Sequence, residues 1–116
     1  MLYIFEVTMG RGVMVEDYVR AWKVGSAIIQ KSAGSYGIKL YQKVGQQNKL
    51  LNVATWESKT AREIAMESLK RADHATRVLL HRHEDFGKVN VIGEFEDTGW
   101  TVNPPEEKAQ KKSPKA

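Results

Sequence analysis

Apolar and polar residues change period several times along the chain. LYIFEVTM, residues 2–9, alternates weakly in β-formers and predicts a first strand. GRG at 10–12 breaks it, and helical spacing follows, with Val15, Tyr18, Val19, Trp22, Ser26 and Ile29 on one face. Glu16 and Asp17 suit the positive N-terminal end of that helix, and Gly34 suits its stop. YGIKLYQKV at about 36–44 alternates again, GQQN at 45–48 signals a hairpin turn, and KLLNVATW at about 49–56 is a third strand. Ser58 or Thr60 then caps a second helix, Thr60 and Glu63 having capping-box spacing. Ile64, Ser68, Ala72, Ala75 and Leu79 are its expected inner face, as one helix to about 82 or as two, with Asp73 the break. HEDFG at 83–87 reads as a loop and KVNVIGEFE at 88–96 as the last strand.

The order β-α-β-β-α-β predicts an α+β, ferredoxin-like domain: a four-stranded antiparallel sheet with its helices on one face. The last strand offers Val89, Val91 and Gly93 to one side and Asn90, Ile92 and Glu94 to the other, so neither side is wholly polar. The sheet face without helices is therefore expected to form a homodimer by packing sheet on sheet. The domain is expected to span 1–102, with 103–116 a disordered charged tail.

Charge changes the picture little. Of the net charge of +4, half comes from that tail, which holds four lysines and two glutamates. No basic stripe interleaved with aromatics suggests nucleic acid. No apolar run is long enough for a membrane span, and MLYIFEVT does not read as a signal peptide. The absence of cysteine excludes disulfides, thiolate metal sites and cysteine nucleophiles, and the cytoplasm is the expected location.

The stretch LLNVATWESKTARE, residues 50–63, carries the candidate chemistry. Asn52 and Trp56 stand four apart on one strand, hence on one face and roughly 13 Å apart along the chain. Either both pack, with their polar atoms satisfied locally, or both face a pocket and donate hydrogen bonds to a ligand. His74, Arg77 and His81 project onto a polar helix face; a break at Asp73 removes that projection and leaves His74 or Arg77 able to turn inward. Neither they nor His83 has metal-ligand spacing. Tyr18, Trp22 and Tyr41 read as core or dimer contacts, with pocket wall the alternative for some of them, and Met9, Met14 and Met66 read as packing.

The strand ending in TWESK, followed at once by an amphipathic helix, resembles the antibiotic biosynthesis monooxygenase domain of the dimeric α/β-barrel superfamily, over about residues 2–96. The resemblance implies a cofactor-independent monooxygenase acting on a small aromatic quinol or anthrone, with no cofactor and no metal. It implies that Asn52 and Trp56 are catalytic hydrogen-bond donors, with Arg77 the nearest match to an arginine on the second helix. The haem-degrading branch is similar in outline, but it needs an asparagine on the first strand and a tryptophan in the second helix, and LYIFEVTM and the second helix lack them. The alternative is a non-catalytic dimeric module that binds a small hydrophobic ligand or haem.

Overall fold

Weak alternation in the first apolar stretch becomes β1 (Leu2–Met9), and the helical period after GRG becomes α1 (Val15–Ile29). The computed structural model describes residues 1–107. Its remaining elements are β2 (Ser35–Lys43), β3 (Gln46–Trp56), α2 (Lys59–Leu69), α3 (His74–His81), a 3-10 turn over Arg82–Phe86, and β4 (Gly87–Phe95). The strands form one antiparallel sheet in the order β2-β3-β1-β4, the ferredoxin-like arrangement expected.

Local chemistry explains the boundaries. The β2–β3 turn is Val44–Gly45, one residue earlier than GQQN suggests, because Lys43 pairs with Gln46 and Gly45 supplies the positive φ of 83°. Ser58 caps α2, its Oγ accepting from Ala61 N at 3.0 Å. The second helical stretch does break: Asp73 caps α3, accepting from Thr76 N at 2.7 Å.

Two expectations for faces are corrected. The inner face of α2 is not the stripe starting at Ile64, which is 65% exposed; Ala65 is buried, with Met66 packed beside it. The break at Asp73 removes any common phase between Ile64 and Leu79, and Leu79 is exposed too. In β4, the register with β1 shifts between Ile4 and Phe5: Val91 pairs with Phe5 but Gly93 pairs with Ile4. The bulge moves Gly93 to the face opposite Val89 and Val91.

Alternation along β3 buries Leu50, Asn52, Ala54 and Trp56 beneath the helices. Two apolar clusters form there. One holds Val7, Met9, Tyr18 and Leu50, and the other Ala54, Trp56 and Ala65. Asn52 lies between them on the strand. The opposite sheet face bears Leu2, Tyr41, Leu51, Val53 and Phe95, with a Glu6–Lys49 ion pair at 3.7 Å. Leu2, Tyr41 and Phe95 are between 37% and 46% exposed, so this face is apolar and uncovered within one chain. Residues 96–107 leave the sheet with Trp100 and Val102 almost fully exposed. The tail expected over 103–116 lies outside the described residues from 108 onward. Among the described residues, no helix is long and apolar enough to cross a membrane.

Candidate functional site

A cavity opens where the two clusters meet. The sheet supplies its floor: Tyr3 and Phe5 from β1, Ile38 from β2, and Ala54 and Trp56 from β3. Ala54 carries only a methyl between the larger side chains of Asn52 and Trp56, and that leaves room in the floor. Helix α1 closes one side with Trp22, Ser26, Ile29 and the flanking Gln30; α2 closes the other with Arg62 and Met66; His83 comes from the 3-10 turn. The cavity measures about 70 Å³, within about 480 Å³ of empty space that includes open solvent. A drug-sized ligand needs about 300–1,000 Å³. A multi-ring ligand therefore does not fit this cavity without movement of its lining side chains.

The structure separates the two β3 residues. Trp56 lines the cavity and is only 3% exposed. Among the described residues its indole N–H has no hydrogen-bond partner. Asn52 is fully buried and is not part of the lining. Its Oδ1 accepts from Trp22 Nε1 at 2.6 Å, and its Nδ2 donates to Tyr18 Oη at 3.3 Å. Asn52 thus fixes Trp22, which does line the cavity, and Tyr18, which backs it. Burial pushes the Tyr18 hydroxyl above its ordinary value, with the bond from Asn52 opposing the shift, so Tyr18 stays protonated at neutral pH.

Arg77 is exposed on α3 and does not line the cavity. The arginine that does is Arg62, on α2. Its guanidinium carbon stands 3.6 Å from the Tyr3 ring centroid, a cation–π contact, and among the described residues no carboxylate pairs with it. Sequence reasoning missed Arg62 because it started the helix stripe at Ile64. The signal was there: Arg62 precedes Ala65 and Met66 by three and four positions, the spacing of one helix face.

The histidines also separate. His74 and His81 are exposed, and His81 Nδ1 lies 2.6 Å from Glu84 Oε2. His83 is partly buried, lines the cavity and meets the Tyr18 ring edge-on at 6.0 Å between centroids. Burial holds His83 below the ordinary histidine value, so it is neutral at pH 7. Among the described residues, no group of three histidine, aspartate or glutamate side chains converges as a metal site.

What the cavity can do follows from its walls. Among the described residues they are largely aromatic and aliphatic, with one cation, Arg62, and no carboxylate. Such a pocket suits a flat apolar molecule bearing an oxygen that becomes negatively charged.

No protein-family model and no curated protein matches the sequence. Solved structures do match. An asparagine-to-alanine variant of SnoaB, a cofactor-independent oxygenase from Streptomyces nogalater, superposes with a TM-score of 0.69 at 12% identity, over 90% of this chain and 96% of that one. A Bacteroides thetaiotaomicron protein provisionally named an antibiotic biosynthesis monooxygenase gives 0.62 at 10% identity, over 89% and 95%. A Nitrosomonas europaea protein with the same provisional name gives 0.57 at 10% identity, over 82% and 98%. At these identities the likeness is one of fold: the chain has the α+β fold of SnoaB and of the proteins named antibiotic biosynthesis monooxygenases.

Proposed function

We propose that the protein is a cofactor-independent monooxygenase that oxygenates a small aromatic quinol or anthrone. The observation that carries this reading is an aromatic-walled cavity, between sheet and helices, whose single cation has no carboxylate partner among the described residues. The fold shared with SnoaB supports it.

The chemistry asks little of the protein beyond placement and charge. Triplet dioxygen reacts slowly with a neutral closed-shell ring but accepts an electron from its enolate or phenolate. Arg62 stabilises that anion inside an apolar wall, where a charge is worth more than in water. Trp56 offers a flat surface and an N–H donor. Trp22, its own N–H held by Asn52, is a rigid wall facing the ring. For an anthrone the balance closes without a reductant: the methylene carbon gains one oxygen atom as a carbonyl, and the other oxygen leaves as water. In this reading Trp56 and Arg62 touch the substrate, and Asn52 positions Trp22. Arg77 has no part in it.

We also infer a homodimer through the uncovered sheet face, whose apolar centre of Leu2, Leu51, Val53 and Phe95 would be buried in it. A non-catalytic ligand-binding module is favoured by one observation: both polar ends of Asn52 are already engaged within the protein. The two readings differ in turnover. Oxygen uptake by the metal-free protein is measured with reduced anthrones and quinols, together with ¹⁸O₂ labelling of the product. Uptake above the spontaneous rate, with one labelled atom per product and loss in Trp56→Phe and Arg62→Gln, supports the enzyme. Saturable binding of the same compounds without uptake supports the module.

A further inference from the structure

We propose that His83 is the base that takes the proton from the bound substrate and leaves the anion that Arg62 stabilises; this rests on the monooxygenase reading above. Oxygenation of an anthrone or quinol needs the anion first, so some group must accept a proton. Among the described residues, the cavity walls contain no carboxylate. The hydroxyls of Tyr3 and Ser26, the Gln30 amide, the two indoles and the Arg62 guanidinium are not bases near neutral pH. Among the described lining residues, His83 is the group that can take a proton there.

Geometry supports the role. His83 Nδ1 is buried and makes no hydrogen bond of full geometry among the described residues, and the Leu80 backbone carbonyl acts on the ring as an acceptor that favours its protonated form. It faces α1 at Gly25: a Cβ there would stand 3.4 Å from Nδ1 and 2.8 Å from the Leu80 carbonyl oxygen. The missing side chain at Gly25 is what lets the ring sit against α1 with Nδ1 turned to the helix, so the proton transfer is assigned to Nε2. The Tyr18 ring holds the imidazole edge-on, and Asn52 holds Tyr18. One buried set of contacts therefore orients both the Trp22 wall and the base.

Burial keeps the imidazole neutral, as an acceptor must be. Glu84, the Leu80 carbonyl and Asp85 favour its protonated form, and His81 opposes it. Tyr18 faces it from α1, and Arg62 lines the same cavity from α2. In the step itself, the substrate C–H or O–H bond breaks, the proton goes to the imidazole and makes it imidazolium, and the electron pair stays on the substrate as an enolate or phenolate. No oxidant is consumed, so the step can be observed without oxygen.

The test is anaerobic exchange of the anthrone methylene hydrogens in D₂O, followed by proton NMR, with wild type, His83→Gln and Trp56→Phe. Wild type is expected to accelerate exchange over buffer, and His83→Gln to lose about 100-fold of that acceleration while keeping its circular dichroism. The wild-type rate should fall as pH drops through a value below the ordinary histidine range, and this limb should vanish in His83→Gln. Exchange in His83→Gln within twofold of wild type overturns the proposal, as does wild type with no exchange above buffer. If His83→Gln does not fold, the His83 ring signals of wild type are followed on adding anthrone anaerobically. A shift upholds the proposal and no shift overturns it. Admitting air separates the two readings. Exchange that depends on His83 without oxygen uptake overturns the monooxygenase and leaves the base. Uptake with exchange indifferent to His83 overturns the base and leaves the monooxygenase.

Discussion

Replacing Asn52 by leucine removes the polar link between α1 and the sheet while filling nearly the same space. Asn52 is fully buried and joins Trp22 at 2.6 Å and Tyr18 at 3.3 Å. The variant leaves an indole N–H without its acceptor and a phenol oxygen without its donor, at about 1–3 kcal/mol for each buried group. Tyr18 is 0% exposed and loses the full amount, whereas Trp22 is partly buried and reaches water more easily. Leucine also escapes the desolvation of the amide, which offsets part of the loss. The expected destabilisation is about 3 kcal/mol. At ~4–8 °C per kcal/mol for a domain of this size, Tm should fall by roughly 12–24 °C. Thermal and urea unfolding followed by circular dichroism measure it. A double-mutant cycle with Trp22→Phe assigns the shared part, expected at about 1 kcal/mol or more. A loss below about 0.5 kcal/mol, the range of an ordinary surface substitution, would refute the argument that Asn52 is a structural link.

Gly25→Ala should destabilise by about 1–3 kcal/mol, because its Cβ would meet the Leu80 carbonyl at 2.8 Å and push α1 from α3; urea unfolding checks it. Ser58→Ala should cost about 1 kcal/mol through the lost cap on Ala61 N, read from the same curves. The His83 pKa is lowered on folding, so the unfolded chain binds more protons just below the ordinary histidine value of about 6.5. Stability should therefore be full above that value and fall as pH drops toward the folded pKa. Tm measured from pH 7 to pH 5 should decline more steeply in wild type than in His83→Gln.

The strand period made β3 legible. Alternation alone places Asn52 and Trp56 on one buried face, and the structure puts them there. It could not show that they do different things, because Trp22, thirty residues earlier, is what occupies Asn52. Arg62 was hidden by composition. Ile64 looks like the core residue and Arg62 the solvent one, yet the guanidinium lies on the Tyr3 ring while Ile64 is exposed. A stacked arginine buries its stem and its planar face, which hydrophobic patterning counts as polar. Arg77 drew attention as the nearest match to an arginine on the second helix, and the cap at Asp73 instead starts a separate helix on which it is exposed. His83 sits in a five-residue 3-10 turn, too short to show a period, so its inward position had no pattern to reveal it.

Function rests on the cavity between the sheet and the helices being where an aromatic molecule binds. Three tryptophans report on this directly. Trp22 and Trp56 line the cavity, while Trp100 is 88% exposed. In a Trp100→Phe background, titration with a dihydroxyanthraquinone should quench the remaining indole emission saturably, and Arg62→Gln should weaken the binding at least tenfold. Quenching that rises linearly without saturation, or saturation that Arg62→Gln leaves unchanged, would contradict the assignment of this cavity as the site.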